Sequence, residues 1–151
     1  MPSYILAFDV THYSISSEFL AQSCKIIHQL FENNEFPYKD TEAKICILTY
    51  DTMIHYYAIK GSNKQPKMIV GADLPSSLPL PLEEILCDFS DAKSNVLSLL
   101  ETLPKCFSSN SLPDKSSCLI DLIKNMELIL KDANAKVVIL QAAQLHQEQA
   151  I

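Results

Sequence analysis

The stretch YILAFDVTHYS, residues 4–14, decides the fold. Residues 4–10 form an apolar run that carries one carboxylate, Asp9, near its end, and hydroxyl-bearing residues follow at once. A run of this kind is the pattern of a strand buried on both faces, as at the centre of a parallel sheet. Asp9 then stands at the tip of a buried strand, where a carboxylate either holds a cation or serves the fold.

Working outward, apolar residues at Phe19, Leu20, Cys24, Ile27, Leu30 and Phe31 recur at three- and four-residue spacing, which predicts an amphipathic helix over 15–32 with Ser16 or Ser17 as its cap. Residues 43–50 read as a second buried strand, and 53–59 pair with it as a hairpin around Asp51 and Thr52. Residues 67–70 make a short edge strand. Pro75, Pro79 and Pro81 then forbid regular structure, with Pro81 allowed in the first turn of the next helix. Helical spacing returns over 82–87 and over 92–103, through Val96, Leu99, Leu100 and Leu103, and Pro104 marks the stop. Residues 116–130 repeat it through Leu119, Leu122, Ile123, Met126 and Leu130, and 137–140 resemble the first strand. The order predicts an α/β sheet covered by helices on both faces, with Asp9 and Asp51 at the carboxyl ends of strands, where such sheets form their ligand crevice. Because the last apolar run needs neighbours and the tail QAAQLHQEQAI is polar, the chain is expected to stop short of the full domain at its C-terminus.

At 151 residues the chain suits one domain, so 1–151 is read as a single partial domain. Its 18 acidic residues outnumber the 12 basic ones, and a net charge of -6 removes the broad attraction on which nucleic-acid binding depends. The five cysteines (Cys24, Cys46, Cys87, Cys106 and Cys118) contain no C-x-x-C pair, which suggests neither a zinc site nor a disulfide framework and fits a reducing cytosol. No charged region precedes residues 4–10, and no apolar run approaches the length of a membrane span, so neither signal peptide nor anchor is predicted. With Gly61 and Gly71 as the two glycines, a P-loop and a dinucleotide fingerprint are excluded.

Asp9, Thr11 and Tyr13 form D-x-T-x-Y. In von Willebrand factor A domains a similar strand-to-loop motif has short hydroxyls at the third and fifth places, whose oxygens hold a hard cation. A phenol in the fifth place is a poor substitute, and Asp9 is read as a cap for the following loop or helix. Ser116 and Ser117 could supply a further metal hydroxyl, although a serine pair entering a helix is commonly its cap. His12, His28, His55 and His146 share no motif with a cysteine or serine. His55 reads as a strand residue, facing solvent or held by a satisfied contact, and His28 as a surface residue. The acidic pairs Glu83 with Glu84 and Asp88 with Asp91 stand where helix dipoles favour them.

Four stretches, PSYILAFDVTHYSISSEFL (2–20), AKICILTYDTMIHYYAIK (43–60), QPKMIVGADLPSSLPLPLEEIL (65–86) and LLETLPKCFSSN (99–110), resemble in order and spacing the trunk domain of the COPII inner-coat cargo-adaptor subunit. The proline-bearing passage favours this branch over its GTPase-activating paralogue. The resemblance implies a von Willebrand A-like (Rossmann-like) sheet, mostly parallel and flanked by helices. It also implies that the metal site at Asp9, Thr11 and Tyr13 is degenerate and binds no metal. No cofactor is expected in this segment, since the zinc finger of full-length members precedes the trunk. The implied role is a non-enzymatic structural and cargo-adaptor component in transport from endoplasmic reticulum to Golgi. It would be cytoplasmic and peripheral on the endoplasmic reticulum membrane and COPII vesicles. Implied partners are the GTPase-activating paralogue in a heterodimer, cargo and SNARE sorting signals, and the membrane surface through the assembled coat; nucleic acid is not among them. No cargo or partner contact residue transfers. An exposed apolar or edge-strand patch is expected to mark the paralogue contact. Two alternatives remain: a metal-dependent A-type ligand-binding module, in which Asp9, Thr11 and Ser116 or Ser117 converge on one cation, and a small cysteine-dependent enzyme with a reactive thiolate.

Overall fold

Every residue of β1 (Ser3–Asp9) is buried, the outcome for an apolar strand whose two faces are both covered. The computed structural model describes residues 3–35, 42–70, 81–107, 122–124, 126–127 and 135–142. β1 pairs in parallel with β2 (Lys44–Tyr50), from Ser3 opposite Lys44 to Asp9 opposite Tyr50. On its other side it pairs in parallel with a C-terminal strand, Ala135–Leu140. β3 (Ile54–Ala58) returns antiparallel to β2 as the expected hairpin, and β4 (Lys67–Val70) closes that edge antiparallel to β3. The two-residue β5 (Cys87–Asp88) adds antiparallel to the start of β2. With the C-terminal strand as β6, the sheet runs β4-β3-β2-β1-β6.

Strand periodicity sends alternate residues to opposite faces. Leu6, Phe8, Val10, Ile45, Ile47, Tyr57 and Ile59 pack on one face beneath two helices, α2 (Phe19–Glu32) and α4 (Phe89–Cys106). Ile5, Ala7, Cys46, Leu48, Tyr50 and Tyr56 fill the other face with Ile85, Leu86, Leu122 and Met126. Each fully buried Leu, Ile or Phe side chain contributes about 1.5–3 kcal/mol by leaving water, so β1 anchors both layers.

The structure corrects several boundaries. The helix expected over 15–32 is two: α1 (His12–Ser16), capped by Thr11, and then α2. Ser16 and Ser17 do not cap its start. Their hydroxyls donate back to the Tyr13 carbonyl at 3.4 and 2.7 Å, and Glu18 then takes φ 63°, which breaks the ladder between the helices. Over 82–87 the helix lasts only for Leu82–Ile85 (α3), because Cys87 and Asp88 gain ladder bonds to Ile45 and Lys44. Pro81 lies just before that helix, not inside its first turn. Pro104 does not stop α4, which begins earlier than expected and runs on to Cys106. A proline so near a C-terminus forfeits one backbone bond, while Leu103 stays buried and its carbonyl accepts the Phe107 N–H. The helical residues 122–124 and 126–127 fall within the predicted helix over 116–130. Pro75, Pro79, Ser116, Ser117, Cys118 and the tail from residue 143 on, His146 included, lie outside the described residues.

Candidate functional site

The carboxyl ends of β1, β2 and β6 meet where the sequence places a crevice. Asp9, 1% exposed, accepts the Thr11 N–H on Oδ1 at 2.8 Å and the Ala142 N–H on Oδ2 at 2.9 Å. One carboxylate thereby fastens its own loop and the chain leaving β6. The Val10 N–H donates to the Tyr50 carbonyl at 2.9 Å, and the Tyr50 hydroxyl donates to Gln141 Oε1. Three strand ends are thus laced together by buried and half-buried polar groups. Thr11 is also buried, and its hydroxyl accepts the Ser14 N–H at 3.4 Å as the N-cap of α1.

Of the D-x-T-x-Y residues, Asp9 and Thr11 come together, whereas Tyr13 sits on α1 at 55% exposure. Asp51 serves its own turn: its Oδ1 accepts the Met53 N–H at 2.9 Å and lies 3.8 Å from His55 Nε2. Among the described residues, no group of three or more His, Cys, Asp or Glu side chains is arranged to hold a metal ion.

His55 is buried, so of the two readings of this residue the satisfied contact holds. Its Nδ1 lies 2.9 Å from Thr49 Oγ1, which lies 2.7 Å from the Tyr57 hydroxyl. Burial lowers the His55 pKa, opposed by the Asp51 carboxylate. Burial raises that of Tyr57, and the Thr49 hydrogen bond pulls the other way. The sequence reading missed this cluster; its signal was the alternation of Thr49, His55 and Tyr57 along the hairpin, legible only once Thr49 is set opposite His55. His28 is not a free surface residue either. It is half-buried and bridges α2 to α4, with Nε2 3.0 Å from Glu101 and Nδ1 3.3 Å from Glu32.

Burial pushes the thiols of Cys24 and Cys87 up to about 12 and about 11, and raises that of buried Cys46 further, with the Cys87 charge adding to it. Such thiols are poor nucleophiles. Cys106 is exposed and sits in the wall of a cavity of ≈ 460 Å³, between the β3–β4 edge and the end of α4, with Tyr57, Met68, Thr102, Leu103 and Phe107. Beside it, Met68 and Val70 of β4 are 49% and 44% exposed, and among the described residues β4 has a neighbouring strand on one side only. No described helix is long and apolar enough to cross a membrane.

Against known proteins, residues 1–150 match the family model described as the Sec23/Sec24 trunk domain. The chain is 32% identical over 108 residues to the protein transport protein Sec24A of Homo sapiens, covering 71% of this chain and 10% of that one. It is 27% identical over 144 residues to the protein transport protein SEC24 of Pyricularia oryzae, covering 93% and 14%. In fold it is similar to the crystal structure of the human COPII-coat protein Sec24c, with a TM-score of 0.76 at 22% identity, over 91% of this chain and 18% of that one. The chain therefore spans between about a tenth and a seventh of the length of these curated relatives. A family match over nearly every residue, joined to a mixed sheet with a parallel centre and helices on both faces, places this chain in the Sec23/Sec24 trunk domain family.

Proposed function

We propose that this chain is the trunk portion of a COPII cargo-adaptor subunit that works through protein surfaces in transport from endoplasmic reticulum to Golgi, without catalysis. The observation that carries this reading is the family match over residues 1–150, and the transport-protein relatives support the branch. The strand-end geometry supports it independently. Where a metal-dependent A-type module would present an open cation site, the Asp9 oxygens accept the N–H groups of Thr11 and Ala142. On this reading the degenerate site at Asp9, Thr11 and Tyr13 serves the fold and binds no metal. A zinc finger belongs to another part of the full-length protein.

The partner is the paralogous GTPase-activating coat subunit, and the docking face is the β4 edge. Among the described residues β4 is paired on one side only, and exposed Met68 and Val70 stand there beside a single charged residue, Lys67, which leaves apolar surface for a partner. Cargo and SNARE sorting signals are read by the whole adaptor, at the cytoplasmic face of the endoplasmic reticulum membrane and on COPII vesicles. Calorimetry of this chain with the purified paralogue, with and without magnesium, tests the assignment. Saturable binding, indifferent to magnesium and lost in the double variant Met68→Lys, Val70→Lys, is the expected result. Heat on adding magnesium alone, with no binding to the paralogue, would restore the metal-dependent module.

A further inference from the structure

Thr49 and His55 are a directly opposed pair between β2 and β3, Tyr57 follows on the same face two residues on, and all three are buried under α4. The distances join Asp51, His55, Thr49 and Tyr57 in one line: 3.8 Å, 2.9 Å and 2.7 Å in turn. We infer that His55, Thr49 and Tyr57 form a single reversible hydrogen-bond relay, flanked by the Asp51 carboxylate, whose direction is set by the protonation of His55, so that acidification frees the Tyr57 O–H to donate into the neighbouring cavity.

The direction follows from the donor inventory. The Asp51 carboxylate lies 3.8 Å from His55 Nε2, too far for a hydrogen bond, and its negative charge favours the proton of the neutral ring on that nitrogen. Nδ1 is then an acceptor and takes the Thr49 hydroxyl proton. Thr49 has one proton to give, so its oxygen accepts from Tyr57, whose O–H points inward along the chain. A proton added to Nδ1 reverses both hydrogen bonds. His55 donates to Thr49, Thr49 donates to the Tyr57 oxygen, and the Tyr57 proton needs a new acceptor. Tyr57 is 2% exposed and lines the cavity shared with Met68, Thr102, Cys106 and Phe107, so the acceptor is sought there.

Asp51 comes from the β2–β3 turn, Cys24 from α2 and Cys106 from α4 as the titratable groups that act on His55 or Tyr57. Phe107 lies with its ring centroid 5.4 Å from that of His55, and β4 sets Val70 opposite His55. The cavity would therefore prefer a ligand group with a hydrogen-bond acceptor, a carbonyl or carboxylate, once His55 is protonated, and lose that preference when His55 is neutral.

Nitrogen-detected NMR of the histidine-labelled chain tests this directly. At pH 7.5 the His55 signals are expected to show Nε2 protonated and Nδ1 bare; the opposite tautomer, or rapid exchange between the two, overturns the relay. Tyr57→Phe removes the acceptor that ends the charged form of the chain, and charge-assisted links are about twice as strong as neutral ones. Its expected effect is a fall of about threefold or more in the proton affinity of His55. An unchanged or raised titration midpoint overturns the relay. Asp51→Asn, in the turn, should lower the midpoint as well and confirms that the signal followed is that of His55. The tautomer in the unmodified chain stands as a separate test should Tyr57→Phe fail to fold.

Discussion

Replacing Asp9 by alanine distinguishes a carboxylate that serves the fold from one that waits for a cation. The side chain is buried, and each oxygen holds a backbone N–H, one at 2.8 Å and one at 2.9 Å. Hydrogen bonds to a charged partner contribute about 1.5–3 kcal/mol each, and a buried donor left unpaired costs about 1–3 kcal/mol. The contact to Ala142 is only partly buried, so its N–H recovers water after the change, whereas the Thr11 N–H stays dry. The loss should therefore be about 3 kcal/mol, a large share of the roughly 5–15 kcal/mol typical of a domain. Asp9→Asn keeps one acceptor and turns an NH₂ toward the other donor, so it should lose about half as much. Urea denaturation with and without magnesium is the assay. The expected result is destabilisation of the same size in both conditions. A cation site predicts the reverse, because removing an unneutralised buried charge without metal should be neutral or stabilising, and the magnesium dependence should vanish with the carboxylate. A loss below about 1 kcal/mol, or a wild-type chain stabilised by magnesium and an Asp9→Ala chain that is not, would refute the structural role.

Gly61→Ala should cost about 1–3 kcal/mol by urea denaturation, since its Cβ would stand 2.5 Å from Asp91 Oδ1 and 2.6 Å from the Asp91 backbone oxygen. Burial lowers the His55 pKa below its unfolded value of about 6.5. The unfolded chain then binds more protons just below that pH, so stability should be fully present above pH ~6.5 and decline as the pH falls toward the folded-state pKa. Denaturation midpoints from pH 8 to pH 5 check the decline, and His55→Gln should flatten it. Thiol labelling at neutral pH should modify Cys106 before Cys24, Cys46 or Cys87, because the last three are buried and Cys106 is exposed. Rapid labelling of a buried one would reopen the enzyme reading. Leu6→Ala, at a fully buried position on the central strand, should cost about 2–5 kcal/mol, measured by the same denaturation.

The parts of the fold that were legible in the sequence are those where a local pattern and the tertiary environment demand the same thing. The apolar run at 4–10 had to be a covered strand, and the hairpin around Asp51 had its turn written into it by an aspartate that accepts the Met53 N–H. Boundaries were misread where two local demands compete. Around Ser16 and Ser17, hydroxyls that can cap a helix donated back into the preceding turn and ended it instead. At Cys87 and Asp88, helical spacing continued in the sequence while the start of β2 offered ladder bonds, and the ladder won. Pro104 signalled a stop that the burial of Leu103 overrode.

The site divides along the same line. The D-x-T signature was visible because its members are two residues apart, and the reading of Asp9 as a cap was correct for the loop, although Thr11 is what caps the helix. What no local pattern could show is the other oxygen of Asp9, which reaches Ala142 from 133 residues away, or Tyr50 bonded to Gln141 across a separation of 91. The Ala142 N–H, with that of Thr11, compensates a buried carboxylate at this strand end. Parallel strands cannot be joined by a tight turn, so past the ladder bonds the carboxyl ends of β1, β2 and β6 are tied by side chains. Asp9 and Tyr50 supply the ties, one from each strand, to adjacent residues of the chain leaving β6. The Asp9 carboxylate, placed at the end of the central strand, thereby ties the chain leaving β6 to its own loop through two backbone donors.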